Sequence, residues 1–397
     1  MEANNNNKNE HPYYMYDMIQ GTPTALRRVY TEELTKLETL ATELYSTKYK
    51  SIHLVGSGSS WHTVLNTQYF LESIGGCGIS DSDAKRVVAW NSLDFLQKQP
   101  KLDESAAVIL FSHLGGKKYT NAAIRIAKKA KSYVVLVTSL DSILTSSTVP
   151  VQGVENDTLL IDSIDVIIGT SHADKSMAFT VTHTCANYVT FILAVKLGLK
   201  NKNETAILLD TENLAKVPEY FECVIADETP YKKWAVSVQD CSYLPFVGYT
   251  ANIGNCYEAG LRIKRAAHVI AEGYQLEQFI HSSFPAIDKK TSLTAIITPD
   301  IYGVERSIEI LKVAKHVGAK VSIITTKDDS KVDSLVGVDN IIKLVNVPEA
   351  ITVFTNLGCL QLLTYHLSLV RNTNPDTNRT DQPLYCDAYR VCRLANK

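Results

Sequence analysis

The sequence predicts an α/β protein with two doubly wound domains, each built on a mainly parallel sheet flanked by helices. Short runs of Val, Ile and Leu, bounded by Gly or Ser, alternate with longer helical patterns. Such runs are typical of parallel strands buried on both faces. The alternation recurs roughly 190 residues further on, which indicates an internal duplication of domain size. The length of 397 residues also favours two domains over a single core.

The first half supplies strands and helices in strict alternation. An apolar run at 51–55 leads into a helical stretch at 61–74. A second apolar run at 106–111 precedes a helical stretch at 120–131 and a third run at 133–138. Strands separated by helices in this way form βαβ units, whose strands are parallel.

The second half repeats the pattern. The apolar run at 243–248 ends in Val-Gly, as the first strand of the first half does, and a helical stretch at 256–269 follows. A run at 293–298 then precedes a helix at 304–317 and a strand at 320–325. We therefore expect a second doubly wound domain.

The domain limits follow from composition. We predict a disordered tail at 1–15, a first domain at 16–205, a second domain at 206–375 and a C-terminal tail at 376–397. The N-terminal tail is rich in Asn and lacks the apolar segment of a signal peptide. A polar stretch at 199–205 and a helical segment with Pro218 lie between the halves, so we place the linker around 200–230. The last twenty residues are expected to be irregular.

Composition excludes several functions. The net charge of −2 gives no electrostatic reason to expect nucleic acid or an anionic membrane as partner. No apolar run approaches the roughly 20 residues that span a bilayer. The eight cysteines are scattered without CxxC pairs, which argues against zinc and against a disulfide framework. We therefore expect a cytoplasmic protein with no metal site.

Two loops carry the residues of an anion site. Gly56-Ser57-Gly58-Ser59-Ser60 follows the first strand, and Ser112-His113-Leu114-Gly115-Gly116-Lys117 follows the run that ends at Phe111. Parallel sheets bind ligands at the carboxyl ends of their strands, where glycines admit an anion and serine or lysine can donate to it. Each loop alone could be an ordinary solvated turn. Neither fits a Walker or Rossmann pattern, so a phosphorylated small molecule is favoured over a nucleotide.

The chain resembles the sugar isomerase (SIS) domain proteins, most closely the two-domain isomerase portion of glucosamine-6-phosphate synthase. Residues 56–60 look like the family's GCGTS loop, and residues 112–117 lie where it has SQSGET. The segment GLRIKRAAHVIAEGYQLEQFIHSS, from Gly260, is similar without gaps to the family's GALKLKE…AE…HGP segment. LQLLTYHLSLVRNTNPD, from Leu360, is similar to its final helix, and DQP at 381–383 to its tail.

This resemblance implies a phosphosugar site without a cofactor, in tandem SIS domains. Ser60 would line the sugar, and Ser112, His113 and Lys117 would surround the phosphate. The other substrate-binding candidates in the two loops are Gly56, Ser57, Gly58, Ser59, Gly115 and Gly116. His281 would open the sugar ring, and Lys175 would lie in a sugar-contacting loop together with His172. The C-terminal tail would close over the site, and a homodimer would share its active sites. The chain shows no catalytic cysteine after Met1, so glutamine is not expected as nitrogen donor.

The departures from the family pattern concern catalysis. Arg265 stands where the isomerase has the glutamate that moves a proton between C1 and C2, and a guanidinium cannot act as a base at pH 7. The family's HGP becomes His281-Ser282-Ser283, and the lysine of its tail falls near Ala388. In the phosphate loop, Leu114 replaces a serine and Lys117 a threonine.

Two carboxylates on the matching helical segment, Glu258 and Glu272, are candidates for the missing base, although either could instead form a helix-facing salt bridge. Two functions remain open. One is an isomerase, deaminase or deglycase acting on a hexose or amino-sugar 6-phosphate. The other is a non-catalytic sensor that retains the pocket without the base. His183, Tyr365 and His366 lie on apolar helical patterns and are expected in the core.

Overall fold

A computed structural model describes residues 8–78, 85–115, 118–142, 162–298, 301–326, 332 and 337–391. The chain divides into two compact units. The first unit comprises Thr22–Asp174, Val181–Pro218 and Asp387–Lys397, and the second comprises Met1–Gly21, Lys175–Thr180 and Glu219–Cys386. The domain limits expected from the sequence stay predictions.

Each unit is built on a five-stranded parallel sheet. The strands are β1 Ser51–Gly56, β2 Arg86–Asn91, β3 Ala106–Phe111, β4 Tyr133–Thr138 and β5 Val166–Gly169 in the first unit, and β6 Tyr243–Gly248, β7 Ile270–Gln275, β8 Ser292–Ile296, β9 Lys320–Thr326 and β10 Asn340–Leu344 in the second. Their orders are β2-β1-β3-β4-β5 and β7-β6-β8-β9-β10, so the two sheets have the same topology. Every strand pair is parallel. The predicted fold class is confirmed.

Helices flank both sheets. In chain order they are α1 Tyr14–Arg28, α2 Leu34–Tyr45, α3 Ser59–Ser73, α4 Ser92–Lys98, α5 Lys118–Lys129, α6 Val181–Lys200, α7 Glu204–Glu212, α8 Val217–Ile225, α9 Thr229–Val238, α10 Ile253–Ala267, α11 Leu276–Ser282, α12 Ile301–His316, α13 Glu349–Val370 and α14 Pro383–Val391. A π-helical turn at Val29–Glu33 joins α1 to α2.

The cores form where apolar runs meet on both faces of a sheet. Every residue of β3 and every residue of β8 is buried, as continuous apolar runs predict for central parallel strands. Helix α13 is apolar on all sides and long enough to cross a membrane, but 89% of its apolar window is buried in the protein. Such burial is typical of a central helix in a folded domain.

Buried amide and hydroxyl groups join the helix pairs of the two units in a similar way. In the first unit, Asn66 on α3 donates to Asn187 on α6 at 2.8 Å, and Thr63 lies 3.1 Å from the ring of His183. In the second, Asn252 at the start of α10 donates to Thr352 on α13 at 2.8 Å. His183, Tyr365 and His366 are buried, so their expected place in the core is confirmed.

The helical segment expected around Pro218 is α8, and α7 and α9 flank it in the predicted linker region. Pro218 and Pro230 stand in first turns, where proline is tolerated. Two other expectations about chain segments differ from the structure. The C-terminal segment expected to be irregular contains α14, which begins at Pro383. Residues 8–15, expected in a disordered tail, are held in the second unit. There the N–H groups of Tyr14 and Met15 donate to the Asp376 carboxylate at 2.8 Å each.

A buried histidine on β1 predicts acid sensitivity. His53 is 3% exposed, and its Nδ1 accepts a hydrogen bond from Trp90 Nε1 at 3.0 Å. Burial, reinforced by Arg86, lowers the pKa of His53 to about 4. The folded state therefore binds fewer protons than the unfolded state between the usual His pKa of about 6.5 and pH 4, and stability falls as pH falls through that window.

We expect His53 alone to cost about 3 kcal/mol of stability between pH 7 and pH 4. Urea unfolding followed by Trp90 fluorescence at a series of pH values measures this loss, with His53→Gln as the comparison. The variant should show a shallower pH dependence between pH 6.5 and 4. Identical slopes for the two proteins would contradict the assignment.

Candidate functional site

The sheet of the first unit changes winding direction between β1 and β3. The chain leaves β1 for β2 on one side, and β3 then pairs with β1 on the other side. At such a switch point the loops after the two strands diverge and leave a crevice at the carboxyl ends. The two loops singled out in the sequence follow these two strands. The structure thus brings them to one edge of one sheet.

The loop after β1 is shaped by two glycines. A side chain at Gly56 would place its Cβ 2.5 Å from the Ser60 carbonyl oxygen, so the backbone folds back closer than any other residue permits. Gly58 has φ +60° and ψ −130°, a conformation that residues with a side chain rarely adopt, and it precedes α3. Ser57, Ser59 and Ser60 are half-buried around this turn. Helix α3 thus begins directly after the carboxyl end of β1, and helix N-termini in this position commonly bind anions.

The loop after β3 is fixed by hydrogen bonds. The Ser112 hydroxyl is buried and accepts from the Gly115 N–H at 3.2 Å. The carbonyl of His113 accepts from the Ser139 N–H at 3.0 Å, so the loop is tied to the end of β4. Gly116 and Lys117 lie outside the described residues. The candidate contact of Lys117 with phosphate thus stays a prediction.

Ser139 was not singled out in the sequence. It follows β4, the strand next to β3, and is 1% exposed. Its hydroxyl is buried without a hydrogen-bond partner among the described residues. A buried hydroxyl without a partner is costly, so a ligand or water bound beside the Ser112 loop would stabilise it. A Thr-Ser pair directly after an apolar run was the available signal.

Substitution of Gly56 tests the shape of the first loop. We expect Gly56→Ala to weaken sugar phosphate binding at least about tenfold, since the added Cβ forces the turn away from the crevice. Calorimetry on the folded variant measures this change. Gly21→Ala is a matched control, because a Cβ there meets nothing within 4 Å. Unchanged affinity in Gly56→Ala would exclude this loop from the site.

The switch point of the second unit, between β6 and β8, has a different lining. Tyr249 follows β6, is 7% exposed and donates to the Thr298 carbonyl oxygen at 2.7 Å. Its ring packs so closely on Gly303 that a Cβ there would lie 2.2 Å from the ring. An aromatic ring thus occupies the region where the first unit has its glycine-serine turn.

Glu258, a candidate base, lies in the interior of the second unit. Its carboxylate is 3.1 Å from Arg262 Nη2 one turn along α10, and both side chains are 1% exposed. Arg262 also donates to the carbonyl oxygens of Ala178 and Phe179, at 3.3 and 2.8 Å. The spacing in the sequence allowed a salt bridge, and the structure contains one. To take a proton from a substrate, Glu258 would have to leave this pair.

Arg265 and Lys175 lie on the surface of the same unit. Arg265 is half-buried on α10, two turns after Glu258, and its Cζ lies 5.5 Å from the centre of the Phe179 ring. Lys175 is exposed and its Nζ lies 5.7 Å from the centre of the Tyr14 ring. In the first unit, His172 pairs with Asp141 at 3.0 Å with both side chains exposed.

Glu272 and His281 are exposed in the second unit. Glu272 lies on β7, whereas the sequence placed it on a helical segment. Its carboxylate accepts hydrogen bonds from the hydroxyls of Tyr243 and Tyr274. His281 lies in the last turn of α11, four residues after Glu277, which pairs with Arg306. Both side chains are thus open to solvent and to a ligand.

The described residues contain no group of three or more metal-ligating side chains.

Comparison with known proteins finds glutamine–fructose-6-phosphate aminotransferases among the relatives of this chain. No family model matches the chain. Glutamine–fructose-6-phosphate aminotransferase of Chlorobaculum tepidum is 24% identical over 334 residues, 83% of this chain and 50% of the relative. The enzyme of that name from Thermococcus kodakarensis is 22% identical over 374 residues, 93% of this chain and 57% of the relative. The chain thus spans about half the length of the curated relatives it matches.

Solved structures share the fold over nearly their whole length. The C-terminal domain of glucosamine-fructose-6-phosphate aminotransferase from Francisella tularensis superposes with a TM-score of 0.77 at 18% identity, covering 93% of this chain and 99% of that one. Tagatose-6-phosphate ketose/aldose isomerase from Escherichia coli gives 0.74 at 14% identity, covering 94% and 96%. Glucosamine-6-phosphate deaminase from Thermotoga maritima gives 0.65 at 16%, covering 92% and 97%. The resemblance to tandem SIS domains is confirmed.

Proposed function

We propose that this chain, a homologue of the isomerase portion of glutamine–fructose-6-phosphate aminotransferases with the tandem SIS fold, binds a hexose or amino-sugar 6-phosphate at the switch point of its first unit. The observation that carries the proposal is the pairing of the Gly56–Ser60 turn with the Ser112 loop on neighbouring strands. Among structures of the same fold are an isomerase and a deaminase named for sugar 6-phosphates.

Phosphate binding follows from the chemistry of the two loops. Backbone N–H groups at the start of α3 and the hydroxyls of Ser59, Ser60 and Ser112 are donors suited to phosphate oxygens. The lysine at position 117 would add a full positive charge. Glycine at position 56 allows the turn to fold back onto the Ser60 carbonyl group. The site therefore favours a phosphorylated sugar over the free sugar.

The proposed reaction is an isomerisation, deamination or deglycation. His281 opens the sugar ring by passing a proton to the ring oxygen, a general acid role that histidine side chains commonly fill. Arg265 stabilises negative charge on the opened sugar. Of the two carboxylates considered as base, Glu272 is the better candidate, because it is exposed whereas Glu258 is held in a buried ion pair.

A non-catalytic sensor of a sugar phosphate is the second candidate function. The observation that favours it is Arg265, a residue that cannot accept a proton at neutral pH, at the position where the resemblance expects a base. A sensor keeps the two loops and needs no proton transfer. Binding to sugar phosphates is therefore common to both proposals, and turnover separates them.

The experiment is incubation with fructose 6-phosphate and glucosamine 6-phosphate, each with and without ammonia. Product formation that depends on the protein and disappears in His281→Ala supports the enzyme. Binding of a broad panel of sugar phosphates without turnover supports the sensor. Failure to bind any of them contradicts both.

We further propose a cytoplasmic homodimer in which subunits share active sites. The expectation derives from the resemblance to SIS proteins. Sedimentation at micromolar concentration should give twice the mass of the 44.0 kDa chain. A monomer at that concentration contradicts it.

A further inference from the structure

Three loops at the carboxyl edge of the first unit's sheet are joined by hydrogen bonds. The loop after β3 is tied to the loop after β4, because the Ser139 N–H donates to the His113 carbonyl oxygen at 3.0 Å. The loop after β4 is tied to the loop after β5, because the Leu140 N–H donates to the Ser171 carbonyl oxygen at 2.9 Å. Since β4 lies between β3 and β5 and neighbouring strands are about 4.8 Å apart, the first and third loops begin roughly 10 Å apart. The open chain of a hexose 6-phosphate is long enough to reach across most of that distance, from its phosphate group to C1.

A histidine and an aspartate form a pair on two of these loops. Asp141 follows β4, and His172 follows β5. His172 Nδ1 lies 3.0 Å from Asp141 Oδ1, and the Ala173 N–H donates to Asp141 Oδ2 at 2.7 Å. Because a carboxylate only accepts hydrogen bonds, the pairing assigns the imidazole proton to Nδ1. Nε2 of the neutral ring is then the atom that accepts a proton.

The environment of Asp141 keeps its carboxyl group ionised. Burial raises the pKa of this group, but hydrogen bonds from the Ala173 N–H and the His172 ring, together with the charges of His172 and His113, hold the pKa below its usual value. An ionised carboxylate fixes the orientation of the ring and stabilises the imidazolium that forms when the ring takes up a proton. The His172 side chain is 81% exposed, so the ring is accessible to a ligand. These are the features of a histidine arranged for general acid–base catalysis.

Arg265 narrows the reactions that this histidine could catalyse. Arg265 stands where the resemblance expects the group that moves a proton between C1 and C2, and a guanidinium accepts no proton at neutral pH. Hydrolysis of a carbon–nitrogen bond at C1 moves protons only between oxygen and nitrogen atoms, so it needs no base that takes a proton from carbon. An aldosylamine, whose nitrogen is attached to C1, becomes an iminium ion when its ring opens. Such a compound is therefore the class of substrate that fits both His172 and Arg265.

We propose that His172, positioned by Asp141, is the general acid–base catalyst for hydrolysis of an aldosylamine 6-phosphate held by the loops after β1 and β3. This inference rests on the proposed function and narrows it to deglycation. His172 is the catalytic residue, because its Nε2 acts on water and on the substrate nitrogen. Asp141 acts through His172 and is a positioning residue. The products are an aldose 6-phosphate and an amine.

Two proton transfers complete the reaction of the iminium ion. Nε2 of His172 takes a proton from water while the water oxygen bonds to C1, and the C=N electron pair moves to nitrogen. Nε2 then returns this proton to nitrogen, and the C1–N bond breaks with its electron pair remaining on nitrogen. The hydroxyl oxygen forms the carbonyl bond to C1, and its proton leaves with the amine, which departs as an ammonium ion. His172 is neutral again at the end of the cycle.

Hydrolysis of the purified glycosylamine of glucose 6-phosphate and ammonia tests the proposal. Released glucose 6-phosphate is measured by coupled assay, as the initial rate above that of buffer alone. His172→Gln is expected to lower kcat about a hundredfold or more and to change KM little, because the variant keeps the two loops and lacks the acid–base group. His316→Gln is the matched control, since His316 is an exposed histidine in the last turn of α12, and it should react like the wild type.

Asp141→Asn separates positioning of the ring from a purely structural role. The amide oxygen still accepts from the Ala173 N–H but does not stabilise the imidazolium. We expect kcat to fall about tenfold or more, while KM and the urea midpoint of unfolding change little. An unchanged kcat in this variant would contradict the role of Asp141.

Calorimetry with fructose 6-phosphate keeps this inference separate from the proposed function. A wild type that binds fructose 6-phosphate but does not accelerate glycosylamine hydrolysis overturns the inference and leaves the phosphate site standing. A His172→Gln variant as active as the wild type has the same consequence. A wild type that binds no sugar phosphate overturns both. Equally fast release of ammonia from glucosamine 6-phosphate, whose nitrogen is attached to C2, would contradict a substrate with its nitrogen at C1.

Discussion

Arg262→Ala is expected to destabilise the second unit by about 3–5 kcal/mol, because it leaves a buried carboxylate without its counter-charge. Glu258 and Arg262 are each 1% exposed, and their charged atoms are 3.1 Å apart. Loss of the guanidinium also removes the donors to Ala178 and Phe179. These two carbonyl groups belong to the segment Lys175–Thr180, which clusters with the second unit.

Fluorescence of Trp234 measures this effect in the unit concerned. Trp234 is fully buried in the second unit, so Trp61→Phe and Trp90→Phe leave a local reporter for urea unfolding. Arg306→Ala breaks exposed ion pairs with Glu277 and Glu309 in the same unit and should cost less than about 1 kcal/mol. Equal costs for the Arg262 and Arg306 variants would show that burial of the pair is not what matters.

A double replacement separates charge from packing. Glu258→Leu with Arg262→Met removes both buried charges and keeps most of the volume. We expect it to recover much of the stability that Arg262→Ala loses, since apolar replacements of buried pairs are often neutral. A double variant as unstable as Arg262→Ala would assign the loss to the contacts with Ala178 and Phe179 instead.

Arg265→Glu is expected to raise the conversion of fructose 6-phosphate to glucose 6-phosphate by about a hundredfold or more. The change restores the residue that the resemblance expects at this position. A positioned general base typically accelerates a reaction by a factor of about a hundred or more. The wild-type rate should be slow because a guanidinium accepts no proton. Arg265 is half-buried, so the substitution leaves no charge deep in the core.

Coupled assay of glucose 6-phosphate measures the rates. Arg265→Gln is the matched control, since it removes the cation without supplying a base. A gain in Arg265→Glu alone identifies the position as that of the proton carrier. A similar gain in both variants assigns the effect to loss of positive charge. Efficient conversion by the wild type would show that the missing base is supplied elsewhere.

The strands could be predicted because a strand that is buried on both faces of its sheet has a mainly apolar sequence. The runs at 106–111, 133–138 and 243–248 match their strands in full, since each is an uninterrupted apolar segment between polar residues. Helix starts were less accurate. α10 begins at Ile253 instead of Cys256, because Gly254 and Asn255 interrupt the apolar pattern in its first turn.

The C-terminal helix was missed because its first residue is a proline. Pro383 lies in the segment expected to be irregular, yet it stands in the first turn of a helix, where no N–H donor is lost. Helix α14 also has no buried residue, so no core-facing stripe identifies it. Local rules cannot separate a helix start from a break when the apolar pattern is weak.

The sequence predicts those parts of the candidate site whose position follows from the backbone. The Gly-Ser turn and the Ser112 loop follow from glycine spacing and strand ends, which the topology then brings to one switch point. The burial of Glu258 with Arg262 and the buried hydroxyl of Ser139 depend on packing between segments distant in sequence. A single sequence does not contain that information in any local pattern.

Calorimetric titration of the wild type with fructose 6-phosphate, and with fructose in parallel, tests the central claim most directly. The account predicts that the phosphorylated sugar binds at least about tenfold more tightly, because phosphate oxygens accept charge-assisted and backbone hydrogen bonds from the two loops. Ser112→Ala should weaken binding of the phosphorylated sugar and leave that of fructose little changed. Equal affinity for both sugars, or no effect of Ser112→Ala, would contradict a phosphate site at the switch point of the first unit.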